Sequence, residues 1–368
     1  KNEGNLLPLK KQGKIALIGP LADTRNNITG TWSVAQAPEK YTTIKEAMEK
    51  ALDGKATLLY AQGSNIWRDR ELQKNGEQGK SIAWGDKVKM KNEALQIAKE
   101  ADVIVCAMGE TADMSGECAS RTNLEMPDVQ QELLAELAKT GKPVVLLNFA
   151  GRPTVLSWEN EHIPAIMNVW FGGSEVGDAL CDIIFGDKVP SGKLTTSMPK
   201  TTGQEPLYYN HQNTGRPVPD DNQKFAKFAS NCMDVSNGPL YPFGYGLSYT
   251  TFEYGDLKLS SHQVNMDDWK ITATINVKNT GSRDADEVVQ LYIRDMVASI
   301  SRPVKELKGF QRIHLAAGES REISFDITPE MLKFYNAELK HVIEPGDFQI
   351  MVGGNSKEVK TQNLTVKN

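Results

Sequence analysis

Apolar residues in the first 200 positions fall into short, nearly unbroken runs: Ile15-Ala16-Leu17-Ile18, Val103 to Met108, Val144-Val145-Leu146-Leu147, and Ala165 to Trp170. Runs without alternation are the mark of strands covered by helices on both faces. Between them the spacing turns helical. In Pro127 to Lys139, Val129, Leu133, Leu134 and Leu137 form one stripe; Pro127 suits the first turn, and Gly141 with Pro143 stops the helix. In Glu175 to Phe185, Val176, Ala179, Leu180, Ile183 and Ile184 share a face, and Gly186 closes it. Strands alternating with helices predict an α/β domain with an open, mainly parallel sheet.

The texture changes near residue 205. Positions 203–246 are rich in Gly, Pro, Asn and Asp and show little periodicity, which reads as a long ordered loop. Clean alternation follows: Trp269, Ile271, Ala273, Ile275 and Val277; then Val289, Leu291 and Ile293; then Ile323, Phe325 and Ile327. Asn279-Thr280-Gly281 and Ala317-Gly318-Glu319 supply turns, and Glu344-Pro345-Gly346-Asp347 precedes a last run, Phe348 to Val352. This predicts an antiparallel all-β sandwich. The expected organisation is an α/β domain over 1–205, an ordered linker over 206–250 and a sandwich over 251–368.

Length and charge agree with two soluble domains. The chain has 368 residues, 24% charged, with a net charge of −5. That balance gives no electrostatic reason to expect nucleic acid as a partner, and no run of about 18 apolar residues predicts a membrane span. Cys106, Cys118, Cys181 and Cys232 are far apart and irregular, so no disulfide framework is expected; Cys106 and Cys181 read as small core residues. His162, His211, His262, His314 and His341 form no metal-ligand spacing.

Six segments carry a resemblance. Asn5-Leu6-Leu7-Pro8-Leu9 with Ile15 to Asp23 is similar to the segment by which glycoside hydrolase family 3 enzymes leave their barrel. Met114-Ser115-Gly116-Glu117, Gly141 to Val145, Gly151-Arg152-Pro153, Pro190 to Leu194 and Tyr241 to Thr250 match further family stretches in the same order. The sandwich resembles the fibronectin type III-like domain that ends many of these enzymes. The resemblance implies a β-glucosidase-like, retaining, exo-acting glycosidase that is periplasmic or secreted, with a β-glucoside or related carbohydrate as substrate. It implies no cofactor or metal, and it is compatible with a homodimer. It also implies a partner within the same protein: an N-terminal TIM-like barrel with a nucleophilic aspartate in a Ser-Asp-Trp context. That barrel is not in this sequence, so the chain alone is expected to be inactive. Asp267-Asp268-Trp269 mimics the motif but sits at an alternating strand, where Trp269 reads as core.

Retaining glycosidases use two carboxyl groups about 5–5.5 Å apart, one a nucleophile and one an acid that then serves as base. In the family the acid/base comes from the second domain, on a loop after a parallel strand, where open α/β sheets place ligands. Here the run from Val103 to Met108 leads into Glu110, Asp113 and Glu117. Glu117, in the Ser-Gly-Glu element, matches the family's acid/base position. Glu110 is the other catalytic candidate: it could bind a sugar hydroxyl, orient the loop or be the acid itself. Asp113 reads as solvated. Ser115 and Arg121 are candidate substrate-binding residues, and Arg121 could instead pair with one of the carboxylates. Cys118 stands where the family often has glycine, and Ala119-Ser120-Arg121 replaces a more acidic ending. Gly172-Gly173-Ser174-Glu175 resembles a phosphate-binding turn but lacks the dinucleotide spacing, so close backbone packing explains it better. Trp67, Trp84 and Trp170 are candidates for stacking on sugar or for packing. The competing functions are a non-catalytic carbohydrate-binding or structural module and, from fold analogy alone, nucleotide or flavin binding. The sandwich is expected to be a support domain.

Overall fold

The structure is a computed structural model that describes residues 1–76, 79–221 and 225–368. Residues 222–224 of the expected 206–250 linker therefore lie outside the described residues. The chain divides into two compact units, Lys1–Lys188 with Thr201–Gly203, and Val189–Lys200 with Gln204–Asn368.

The first unit contains, in order, β1 (Lys14–Ile18), α1 (Ile44–Leu52), β2 (Thr57–Ala61), α2 (Arg70–Asn75), α3 (Lys87–Glu100), β3 (Val103–Gly109), α4 (Asp128–Ala138), β4 (Val144–Phe149), α5 (Ser157–His162), β5 (Ala165–Asn168) and α6 (Val176–Ile184). The five strands form one parallel sheet in the order β2-β1-β3-β4-β5. Every residue of β4 is buried, as are all but the first of β1 and β3, which explains their unbroken apolar sequence. Helix starts are fixed locally. Thr43 and Glu46 close a reciprocal capping box on α1, and Asp86 caps α3 by accepting the Lys89 N–H at 2.8 Å. On α4 the stripe Val129, Leu133, Leu134 and Leu137 is buried as its spacing predicts, and Gln130 is buried with it. The strand order reverses between β1 and β3, so a crevice opens at their C-terminal ends.

The second unit holds β6 (Phe252–Tyr254), β7 (Lys258–Leu259), β8 (Gln263–Asn265), β9 (Ile271–Asn279), β10 (Ala285–Asp295), β11 (Glu306–Leu315), β12 (Ser320–Ile327), β13 (Phe334–Tyr335), β14 (His341–Val342), β15 (Gly346–Gly353) and β16 (Val359–Lys367). One sheet runs β11-β10-β15-β16-β8; a second runs β12-β9-β6, with β7 also on β9. The alternating positions of β9, β12 and β15 point into a shared core of Ile271, Ala273, Ile275, Val277, Ile323, Phe325, Ile327, Phe348, Ile350 and Val352. Trp269 packs against that core and Asp267 and Asp268 are exposed, so the Asp-Asp-Trp mimic is part of the sandwich. The stretch after residue 205 is tied into the same unit. Tyr209 stacks on Phe243 at 4.2 Å and meets the buried Tyr292 edge-on at 6.0 Å, while Gln290 donates to Gly244 O at 3.1 Å and to Gly354 O at 2.7 Å.

All four cysteines are free; Cys106 and Cys181 are buried, and burial pushes the Cys181 thiol up to about 12. Among the described residues no helix is long and apolar enough to cross a membrane.

Candidate active site

The segments that leave the C-terminal ends of β1, β3, β4 and β5 meet in the first unit, and the carboxylates of the β3 loop sit among them. Gly109, the last residue of β3, has φ +129, and a Cβ there would lie 2.0 Å from Phe149 O. Only glycine fits this close approach. The Gln130 side chain fixes the same residue from α4, accepting the Gly109 N–H at 2.9 Å and donating to its carbonyl at 2.9 Å.

Glu110 follows, 1% exposed. Its Oε1 accepts from Arg121 Nη1 at 2.7 Å and lies 3.2 Å from Arg152 Nε; its Oε2 accepts from Gly151 N at 3.3 Å. A buried carboxylate needs such partners, because desolvation of a charge is otherwise unaffordable. Each arginine also reaches the loop backbone. Arg121 Nη2 donates to Glu125 O at 2.9 Å, and Arg152 Nη2 donates to Ala119 O at 2.6 Å and to Met114 O. Arg121 further lies over the Trp67 ring at 5.6 Å. Glu110 is therefore the centre of an ionic knot that sets the loop's path.

The loop from Ala112 to Gly116 is held from the other side by the segment after β1. Ala112 N donates to Asn27 Oδ1 at 3.1 Å, and Thr31 Oγ1 donates to Ser115 O at 2.9 Å and to Ala112 O. Ser115 is buried, its hydroxyl packed where any side chain on Gly151 would have to go. Asp113 is half-buried and accepts the Gly79 N–H at 2.7 Å, so it is not the solvated residue its position suggested. Between these anchors Gly116, Glu117 and Cys118 stand exposed, with Cys118 at φ +57. Beside them Trp67, Leu72, Gln73, Asp113 and Arg121 line an open depression of about 510 Å³.

Of the four predicted site residues, the structure joins Glu110 to Arg121, buries Ser115 beneath the loop and leaves Glu117 at its tip. Asn27, Thr31, Gln130 and Arg152 were not singled out by sequence reasoning. Arg152 alone had a signal, the Gly-Arg-Pro turn after β4. Gly172 and Gly173 serve packing: a Cβ on Gly172 would meet Val176 at 2.3 Å, and Gly173 N donates to Ile28 O at 2.8 Å. Trp84 is 37% exposed and Trp170 is half-buried.

Comparison with known proteins fits this arrangement. Residues 1–249 match the glycosyl hydrolase family 3 C-terminal domain, and residues 287–356 match the fibronectin type III-like domain. A periplasmic β-glucosidase of Salmonella typhimurium is 45% identical over 363 residues, 98% of this chain and 47% of the relative. A β-xylosidase of Formosa agariphila is 38% identical, over 100% of this chain and 48% of its own. The crystal structure of a β-glucosidase from Listeria innocua in complex with isofagomine superposes with a TM-score of 0.88 at 34% identity, covering 100% of this chain and 48% of that one. The chain spans about half the length of the relatives it matches. With an α/β unit whose strand ends carry the Glu110 knot and a sandwich that matches the fibronectin-like model, the chain belongs to the glycosyl hydrolase family 3 C-terminal domain family.

Proposed function

We propose that this chain supplies the general acid/base, Glu117, to a retaining, exo-acting β-glycosidase whose nucleophile lies on an N-terminal barrel outside these 368 residues. One observation carries the choice. Of the two candidate carboxylates, Glu110 has both oxygens engaged by two arginines and a backbone N–H, whereas Glu117 stands exposed with no hydrogen-bond or ion-pair partner among the described residues. A group that must first give a proton to a departing oxygen and then take one from water needs open access to the substrate. Glu110 lacks that access and Glu117 has it. Arg121 then acts through Glu110 to position the loop, and Ser115 supports the loop from beneath. β-Glucosides are the proposed substrate class, supported by the β-glucosidases among the relatives, and the periplasm the proposed compartment.

The test replaces Glu117 by Gln in the full-length protein and compares leaving groups. Substrates with poor leaving groups should lose about 10²–10⁴ in rate, and dinitrophenyl glycosides far less in the glycosylation step. Equal losses for all substrates would remove Glu117 from the acid role. The 368-residue chain alone should turn over no nitrophenyl glycoside.

A further inference from the structure

We infer that Thr31 is a positioning residue for the acid/base: its hydroxyl fixes the arm of the loop that leads into Glu117, and so sets where the carboxyl meets the glycosidic oxygen. This rests on the acid/base reading above. Glu117 lies on no helix or strand, and its neighbours Gly116 and Cys118 are exposed, at φ +93 and +57. The carboxyl is therefore placed by the groups that hold the backbone on either side of this tip. On the leaving side, Arg152 Nη2 donates to Ala119 O at 2.6 Å. On the entering side, Thr31 Oγ1 donates to Ser115 O at 2.9 Å, two residues before the acid.

The Thr31 hydroxyl does more than hold one carbonyl. It also reaches Ala112 O, so it spans the short turn Ala112–Met114, which Ser115 N closes by donating to Ala112 O at 3.3 Å. Asn27 accepts the Ala112 N–H at 3.1 Å, so both backbone polar groups of Ala112 are held by the segment after β1. That segment is itself secured. Asn27 is 2% exposed and donates to Thr24 Oγ1 at 3.0 Å, and Ile28 O accepts the Gly173 N–H at 2.8 Å. Gly116 completes the contact: a Cβ there would lie 3.0 Å from Thr31 Cγ2, so glycine lets the chain pass closely over Thr31 on its way to the acid. None of these bonds involves Glu110 or Arg121. Loss of the hydroxyl should thus shift the acid while the knot stays in place. Proton transfer needs a donor within about 2.6–3.2 Å of its target, and a misplacement of about 1 Å can cost on the order of 10²-fold in rate.

The experiment uses the full-length protein and two glucosides, phenyl β-glucoside with a poor leaving group and dinitrophenyl β-glucoside with a good one. In Thr31→Val, kcat for the phenyl glucoside should fall about ten- to a hundredfold. KM should not rise, because the lost interaction acts in the transition state. The burst rate on the dinitrophenyl glucoside should stay close to wild type, since that bond breaks with little protonation. Thr31→Ser keeps the hydroxyl and should restore most of the lost rate, whereas Thr31→Ala should repeat the split. Thr31 is exposed, so these variants should melt close to wild type. Equal losses on both glucosides would make Thr31 a merely structural support and overturn the inference. No loss on either overturns it too, as does a Thr31→Ser protein no faster than Thr31→Val. Glu117→Gln runs in the same assay: if it loses equally on both glucosides, the acid/base reading falls and takes this inference with it.

Discussion

Glu110 Oε1 and Arg121 Nη1 lie 2.7 Å apart and close a loop of the ten residues 111–120, whose exposed tip carries Glu117. Because the carboxylate is 1% exposed and Arg121 and Arg152 are only 12% and 20% exposed, this is a buried ionic cluster. Removing one member strands uncompensated charge, which costs about 3–5 kcal/mol. Glu110→Ala should therefore lower the unfolding free energy of the 368-residue chain by that order, read from its urea unfolding curve. In the full-length protein it should depress turnover of all substrates alike, since it acts through the loop's position. Arg152→Lys should not restore wild-type behaviour, because one ammonium cannot reach Glu110, Met114 O and Ala119 O together. A Glu110→Ala protein of normal stability would contradict the role of the knot.

A second buried pair holds the other unit. Lys193 Nζ lies 3.0 Å from Glu287 Oε1, which also accepts from Tyr254 Oη at 2.9 Å. Burial, with the Glu287 carboxylate beside it, pushes the Tyr254 hydroxyl well above its ordinary value, so it remains a donor. Glu287→Ala should destabilise the chain by about 3 kcal/mol in denaturant unfolding. Lys193→Met combined with Glu287→Leu should lose less than the two single changes added together. Strict additivity would show that the pair is not coupled.

Glu159 predicts a pH dependence. It is 1% exposed on α5, its Oε1 has no hydrogen-bond partner among the described residues, and burial, with a smaller contribution from Glu125, raises its pKa from 4.5 to about 7. His162 opposes the shift. Through this group the folded chain binds more protons than the unfolded one between those two values. Stability therefore falls as pH rises from about 4.5 to about 7 and is level above, a loss on the order of 3 kcal/mol. Melting curves from pH 4.5 to 8 should show this slope in wild type and a flatter one in Glu159→Gln. Parallel slopes would mean that Glu159 titrates normally.

Much of this architecture is legible in the residues, and the exceptions have physical causes. β1, β3 and β4 announce themselves because helices cover both faces of a parallel sheet. β2 is an edge strand with one buried residue in five, and so leaves no apolar run. β11 breaks its alternation with Gly309 and leaves Phe310 66% exposed; β16 buries only Leu364 and Val366 among polar residues. The 203–246 stretch has no period because Tyr209 and Phe243 pack through individual aromatic contacts rather than a repeating face. At the site, the family resemblance pointed to the β3 loop, and spacing showed three carboxylates on it. Which of them is buried was not readable. That is decided by Arg152, 42 residues from Glu110, and by Gln130 on α4, and no local pattern records such distant partners.

The decisive prediction separates Glu117 from Glu110 by chemical rescue. On the proposed assignment, Glu117→Ala in the full-length protein removes the proton donor of the first step and the base of the second while leaving the proposed barrel nucleophile intact. A dinitrophenyl glycoside still forms the covalent intermediate, because its leaving group departs with little protonation. Water then attacks that intermediate slowly, so turnover should show a burst followed by a slow steady state. Azide needs no general base. Adding it should accelerate the second step and yield a glycosyl azide of retained configuration, identifiable by NMR. Glu117 is exposed at the loop tip, so the variant should melt close to wild type, and any loss belongs to chemistry rather than folding. Glu110→Ala should behave oppositely, with lowered stability, uniform loss across leaving groups and no azide product. Azide rescue of Glu110→Ala without rescue of Glu117→Ala would reverse the assignment and move the acid to the buried carboxylate.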